Sequence, residues 1–251
     1  MRGEGINSDE AEGRSWESFY YQYSNTVAIY DQDIYGDWFG THWKSRWVLY
    51  NTNPQIAEGW GDNDYVFTYG SQENLRENIK KVQGELIAMN LYLDVFRNKN
   101  RKDRKGYCHL FHKHTSPNAE TFVNELNSTN LSNWKSLGCH KYLNEEFNKC
   151  EYFICYDQLS FWPQIAALCG CKVIVMNVKD NPNAYYGYNI TPEQYRLENP
   201  LKKYGVAFGF EDLQHAIDTQ HLVEDHLLEI DQENLDTVKN FVKFWENKCY
   251  G

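Results

Sequence analysis

The stretch Tyr152–Val175, YFICYDQLSFWPQIAALCGCKVIV, decides the fold. Glu151–Tyr156 (EYFICY) is apolar and aromatic, the composition of a buried strand. A short polar loop with Asp157 follows. Ser160–Cys169 then reads as a helix, with Ser160 as N-cap and Pro163 in the first turn, where no N–H bond is lost. Gly170 ends it, and Lys172–Val178 (KVIVMNV) is a second buried strand. Strand, helix and apolar strand in this order make a βαβ unit. The spacing therefore predicts an α/β fold with a Rossmann-like parallel sheet covered on both faces. Ligands of such sheets bind beyond the carboxyl ends of the strands. At the loop holding Asp157, free N–H groups and the helix dipole would meet an anion. A diphosphate would lie against the amides of Ser160 and Phe161, and Asp157 would accept a bond from a sugar or ribose hydroxyl.

Outward from this unit, Tyr107–Phe111 (YCHLF) reads as a strand and Tyr142–Asn148 as a helix. From Glu211 to Lys248 the chain reads as helical, since Leu213, Ile217, Leu227, Leu235, Val238, Val242 and Trp245 recur at three- or four-residue steps. Toward the start, Val27–Tyr30, Trp47–Tyr50 and Tyr65–Tyr69 are short β-rich runs between Gly, Asn and Asp. Asn74–Val82 reads as a polar helix, and Leu86–Phe96 as a strand or a buried helix. The basic run RNKNRKDRK, residues 97–105, is the best boundary, because a solvated charge run rarely crosses a core. This predicts a loose N-terminus over 1–15 and a short N-terminal lobe over 16–100. Residues 101–251 are then the Rossmann-like domain with a long C-terminal helix.

The chain has 251 residues, 41% of them hydrophobic, enough to bury a core. With 25 Lys and Arg against 35 Asp and Glu, its net charge of -10 argues against a nucleic-acid or anionic-membrane footprint. No apolar run approaches the roughly 20 residues that span a bilayer. The start, MRGEGINSDEAEGRSWESF, lacks the apolar core of a secretory signal, so a cytoplasmic protein is expected. Its seven cysteines are then reduced thiols, and the sequons at Asn127, Asn130 and Asn189 are chance matches.

The Tyr152–Val175 stretch resembles the C-terminal nucleotide-sugar-binding domain of GT-B-fold glycosyltransferases, in particular bacterial and viral polysaccharide-type members. Their core runs strand, YD-x-x-(S/T)F, helix, ALCGC, strand. Lys44–Asn51 (KSRWVLYN) is similar to the family's VVRWLLN element, and Gly61–Tyr69 (GDNDYVFTY) to its acidic loop and strand. Arg104–Lys113 (RKGYCHLFHK) resembles its RKGSCYLVRK element, and Tyr204–Ala216 (YGVAFGFEDLQHA) its C-terminal loop and helix. The likeness spans about residues 28–245, and by it residues 16–100 are a reduced N-terminal acceptor-side lobe. It implies a glycosyltransferase that moves a sugar from a nucleotide-sugar donor to a hydroxyl of a glycan acceptor in surface-glycan or polysaccharide assembly, without a divalent metal or other cofactor. By the same resemblance the donor diphosphate lies at Tyr156–Phe161 near the cation of Lys113, and Tyr204 and Gly205 approach the nucleotide. Asp33 falls in the family's acceptor-side loop and is the candidate base that deprotonates the acceptor. Retaining members often carry two Glu eight positions apart. Here those positions hold Asp157 and Ile165, so the stereochemical outcome stays open.

Other residue patterns point to rival chemistry. Asp31-Gln32-Asp33 and Asp62-Asn63-Asp64 are both DxD, the pair with which GT-A transferases hold Mg or Mn. Cys108, His109, His112, His114, Cys139 and His140 have the ligand types of zinc but not the spacing of a finger. Trp38, Phe39, Trp43 and Trp47 could stack a sugar or fill a core. The rivals to the GT-B reading are a metal-dependent GT-A-type transferase and a glycan- or nucleotide-binding module without turnover.

Overall fold

The computed structural model describes residues 26–34, 36–49, 59–70, 82–111, 117–136, 139–177 and 189–251. The chain is α/β, with two sheets that are parallel throughout. It divides into two compact units, one from Met1–Met89 together with Gln232–Gly251, the other Asn90–Asp231.

The first unit holds β1 (Val27–Asp31), β2 (Trp43–Val48), β3 (Asp64–Thr68) and β4 (Val82–Glu85), in that spatial order. Trp43, Trp47, Tyr65, Phe67 and Leu86 on one face pack under Val238, Phe241, Phe244 and Trp245 of the last helix. On the other face Val48 and Val66 pack with Trp60 and Val82. Arg46 on β2 is buried to 1% exposure. It donates from Nε to Asp64 Oδ1 at 2.6 Å and to the carbonyls of Ile34 and Gly36 at 3.1 and 2.7 Å.

The second unit holds β5 (Tyr107–Leu110), β6 (Thr129–Asn130), β7 (Tyr152–Cys155), β8 (Lys172–Val175) and β9 (Val206–Phe208), in the order β6-β5-β7-β8-β9. Its helices are α1 (Pro117–Glu125), α2 (Cys139–Lys149), α3 (Trp162–Leu168), α4 (Pro192–Glu198) and α5 (Leu213–Thr219). The last helix, α6 (Val223–Tyr250), starts here and ends in the first unit. Ala119 and Val123 of α1 and Ala216 of α5 cover the Ile154, Ile174 and Ala207 face. Phe147 of α2 meets Phe153 of the opposite face at 5.2 Å between ring centres. Helices therefore lie on both faces, which is why the three central strands are almost uninterrupted apolar runs.

Several expectations need correction. The unit boundary falls at Met89/Asn90 and not at the basic run, and the end of the chain returns to the first unit. Leu86–Phe96 is neither strand nor helix: it is an irregular connector pinned by buried Leu86, Leu91 and Phe96. The strand expected at Trp47–Tyr50 begins four residues earlier, at Trp43. The C-terminal helical region is broken by 3-10 turns at Phe210–Asp212 and Gln220–Leu222. The helix expected over Asn74–Val82 lies outside the described residues except for Val82, which opens β4.

The basic run is not a solvated spacer. Asn148 on α2 accepts from the Lys99 amide at 2.7 Å and donates to the Arg97 carbonyl at 3.0 Å. Arg104 donates to the carbonyls of Phe147 and Cys150 at the end of α2, to Cys169 at the end of α3, and to the side-chain oxygens of Asn98 and Asn148. The orphan carbonyls of two helix ends are thus satisfied by one cation, where the helix dipole favours positive charge. Gly170 ends α3 at φ +95°, and a Cβ there would come within 2.7 Å of the same guanidinium.

Arg104→Met should therefore cost at least about 3 kcal/mol in denaturant unfolding, because several acceptors lose a charged donor together. Arg104→Lys should recover only part of that loss, since an ammonium cannot reproduce the planar fork.

Candidate functional site

In the second sheet β5 is followed in the chain by β6 on one side, whereas β7 lies on its other side. The connections leaving β5 and β7 thus diverge at their carboxyl ends. This is a topological switch point, where parallel α/β sheets leave a crevice for a ligand. Phe111 follows β5; Lys113, with His112 and His114, lies outside the described residues. From β7 the chain enters Tyr156–Phe161, the loop singled out in the sequence.

That loop is fixed by many bonds. Asp157 Oδ1 accepts from the Leu159 amide at 3.1 Å, and the Asp157 carbonyl accepts from the Ser160 amide at 3.1 Å. The Cys155 thiol donates to the same carbonyl at 3.3 Å. The Gln158 carbonyl accepts from Tyr195 Oη at 2.7 Å and from Lys202 Nζ at 2.5 Å. Ser160 Oγ accepts from the Trp162 amide at 3.3 Å. The helix begins at Trp162 with Phe161 as N-cap, one residue later than expected, because the Ser160 amide closes the turn on Asp157.

Lys202 is buried to 3% exposure. Burial pulls its pKa down to about 8, while Cys155 and Asp157 pull the other way. Burial likewise pushes the Cys155 thiol up to about 12, so it is an inert packing group. Asp157 itself is 8% exposed at the mouth of the loop.

The structure brings Tyr156, Asp157, Ser160 and Phe161 together at the switch point. The Tyr156 ring is buried in the core with Ile154, Ile174 and Met176, 6.0 Å from Phe111. Tyr204 and Gly205 are elsewhere: they precede β9, whose register with β8 (Val173 opposite Val206) puts them at the amino end of the sheet. Gly205, at φ +69°, is a packing glycine, since a Cβ would lie 2.4 Å from Val223 Cγ2 and 3.1 Å from Ala167 Cβ. Tyr204 faces His226, with ring centres 5.1 Å apart.

Asp33 belongs to the first unit, exposed in the loop after β1, where its amide donates to Asp31 Oδ1 at 3.1 Å. The second DxD is structural, because Asp64 accepts from Arg46 and, at 2.7 Å, from the Gly61 amide. Trp43 and Trp47 are core, whereas Trp38 and Phe39 stand out at 75% and 64% exposure. Among the described residues no three His, Cys, Asp or Glu side chains are grouped to hold a metal ion. His109 meets Ser128 Oγ at 2.9 Å, and burial lowers its pKa to about 4, while His140 stacks on Trp134. All seven cysteines are free thiols, as expected. No helix among the described residues is long and apolar enough to cross a membrane.

Sequence reasoning missed Lys202, Tyr195 and Asn177, whose Oδ1 is buried without a hydrogen-bond partner after β8. Nothing local separates Lys202 from its exposed neighbour Lys203. Only the tertiary position of the turn at Pro200–Lys202 under the β7 loop does so.

Lys202 makes stability depend on pH. Its pKa falls from 10.5 in the unfolded chain to about 8 in the folded one, so between these values the unfolded state holds more protons. The stability of the wild type relative to Lys202→Met should therefore rise from pH 8 to pH 10.5, by on the order of 3 kcal/mol. Paired denaturation curves across that range measure it.

Comparison with protein-family models, curated proteins and solved structures finds no match, so what the crevice does rests on its own geometry.

Proposed function

We propose that the chain is a GT-B-like glycosyltransferase that transfers a sugar from a nucleotide-sugar donor to a hydroxyl of a glycan acceptor. The observation that carries this reading is the switch point between β5 and β7, with the Asp157 loop at its mouth. Two parallel-sheet units also suit an enzyme with separate donor and acceptor lobes, in place of one lobe and a remnant.

The donor sits with its sugar or ribose hydroxyl on Asp157 and its diphosphate along Ser160 and Phe161. Two further acceptor oxygens, Gln164 Oε1 in the first turn of α3 and Asn177 Oδ1, are buried without a partner and suit hydroxyl donors. Asp33 is the base for the acceptor hydroxyl, and Lys113 the cation for the leaving diphosphate. No metal takes part in this scheme: Asp64 of one DxD is already committed to Arg46. The protein acts in the cytoplasm on surface-glycan or polysaccharide precursors.

A second reading, a nucleotide-sugar-binding module without turnover, draws on Ile165. This residue is fully buried where retaining relatives of the proposed family carry an acid. Hydrolysis of nucleotide-sugar donors separates the two.

A thermal-shift screen of nucleoside diphosphates and their sugars tests the site itself. A ligand at a hundred times its Kd should add about 2.7 kcal/mol to stability. Asp157→Asn should then weaken binding by about 1–3 kcal/mol in calorimetric titration. Its melting temperature should change little, because an Asn oxygen still accepts from the Leu159 amide. Unchanged affinity with reduced stability would remove Asp157 from the site.

A further inference from the structure

A cavity lies in the first unit, apart from the Asp157 loop. It is a cleft of about 500 Å³ between β4 and α6, floored by Phe67, Phe241 and Phe244. That volume lies within the roughly 300–1,000 Å³ of small-ligand sites. The rings are fixed against one another, Phe67 meeting Phe241 edge-on at 4.7 Å between centres and Phe244 at 5.4 Å.

Gly84 keeps this cleft open. It pairs in register with Phe67, so a side chain at Gly84 would point to the same face as the Phe67 ring. A Cβ there would meet nothing within 4 Å, and the backbone is not in the left-handed region. The register with β3 shifts between the Val82 and Gly84 pairings, an irregularity that glycine suits, but neither the φ of Gly84 nor the space above it requires one. A strand glycine marks a bulge or a place where another molecule approaches the backbone, and the open space above Gly84 leaves room for the second.

The polar rim says what kind of molecule. Asn240, Lys243 and Asn247 recur at three- and four-residue steps and so share one face of α6, with Glu85 on β4. Among the described residues their side chains make no hydrogen bond or ion pair with one another or with other groups. One carboxylate and one ammonium leave no net charge to select an anion or a cation. Carboxamides donate and accept together, which matches a hydroxyl, and Phe244, the partly exposed ring of the floor, offers an apolar surface to the C–H groups of a sugar ring. We propose that this cleft binds a segment of a neutral carbohydrate chain through the Asn240 and Asn247 carboxamides over the phenylalanine floor. The site lies within the first unit and does not depend on the donor reading.

The test is a printed array of neutral and acidic oligosaccharides probed with the full chain. Wild type should retain neutral oligosaccharides. Gly84→Leu, which fills the cleft, and Asn240→Ala with Asn247→Ala should each bind them at least tenfold more weakly. Both variants should melt no lower than wild type, since leucine suits a strand better than glycine and alanine suits a helix better than asparagine. Asp157→Asn should bind the array as wild type does, so failure of the donor site and failure of this one are distinguishable. No retained neutral glycan overturns the proposal, as does retention of acidic glycans only. Undiminished binding by the double asparagine variant also overturns it, whatever Gly84→Leu does.

Discussion

One guanidinium group ties the amino end of the second sheet together. Arg104 faces the ends of α2 and α3, and both helices must stop there, because their chains return into β7 and β8. In a parallel sheet every strand needs a crossover, so helix ends accumulate along each edge and their carbonyls with them. A neutral side chain would satisfy one of these groups. The planar fork of an arginine reaches several at once, and the partial negative charge of two helix ends holds it. Asn98, Asn144 and Asn148 extend the arrangement to the connector over residues 97–99. The lengths of α2 and α3, and hence the start of the crevice loop at the opposite edge, follow from where these ends are fixed.

The first unit solves a related problem with a buried ion pair. Arg46 and Asp64 lie on adjacent strands, and removal from water costs each charge several kcal/mol unless both are fully bonded. Here they are: Arg46 also donates to two loop carbonyls, and Asp64 also accepts a loop amide. The pair therefore joins β2 and β3 to the loops after β1 and before β3. Asp37 continues the chain of contacts, accepting from Tyr30 Oη at 2.6 Å and from the Gly40 amide at 3.0 Å, with Lys44 Nζ 3.3 Å away. An acidic motif that resembles a metal site in the sequence is in this way a structural anchor.

The strand–helix–strand rhythm of residues 152–175 was legible because its period signals are local: apolar strands, a proline in the first helical turn, a glycine at the end. The parallel pairing of Tyr107, Tyr152 and Lys172 as register partners follows from that rhythm. What stayed illegible depends on long-range contact. The basic run looks like a spacer because six of its nine residues carry positive charge, yet Arg104 turns inward. Leu86–Phe96 has the composition of an element, but its buried residues Leu86, Leu91 and Phe96 are five apart, which fits neither a strand face nor a helix face. Tyr204 and Gly205 lie close to β9 in sequence, but only the direction of that strand shows that they sit at the far edge from Asp157.

The crevice loop shows why its acid can stay in place. A carboxylate at the mouth of an apolar sheet would be costly alone and mobile if merely exposed. Asp157 avoids both, because its own oxygen holds the Leu159 amide while the next carbonyl, Gln158, is gripped from behind by Tyr195 and Lys202. Below about pH 8 Lys202 carries its charge inside the fold, and the neighbouring Asp157 is one of the groups that favour that charged form. The loop is thus held from two sides, by the Asp157 carboxylate on the Leu159 amide and by Tyr195 and Lys202 on the Gln158 carbonyl.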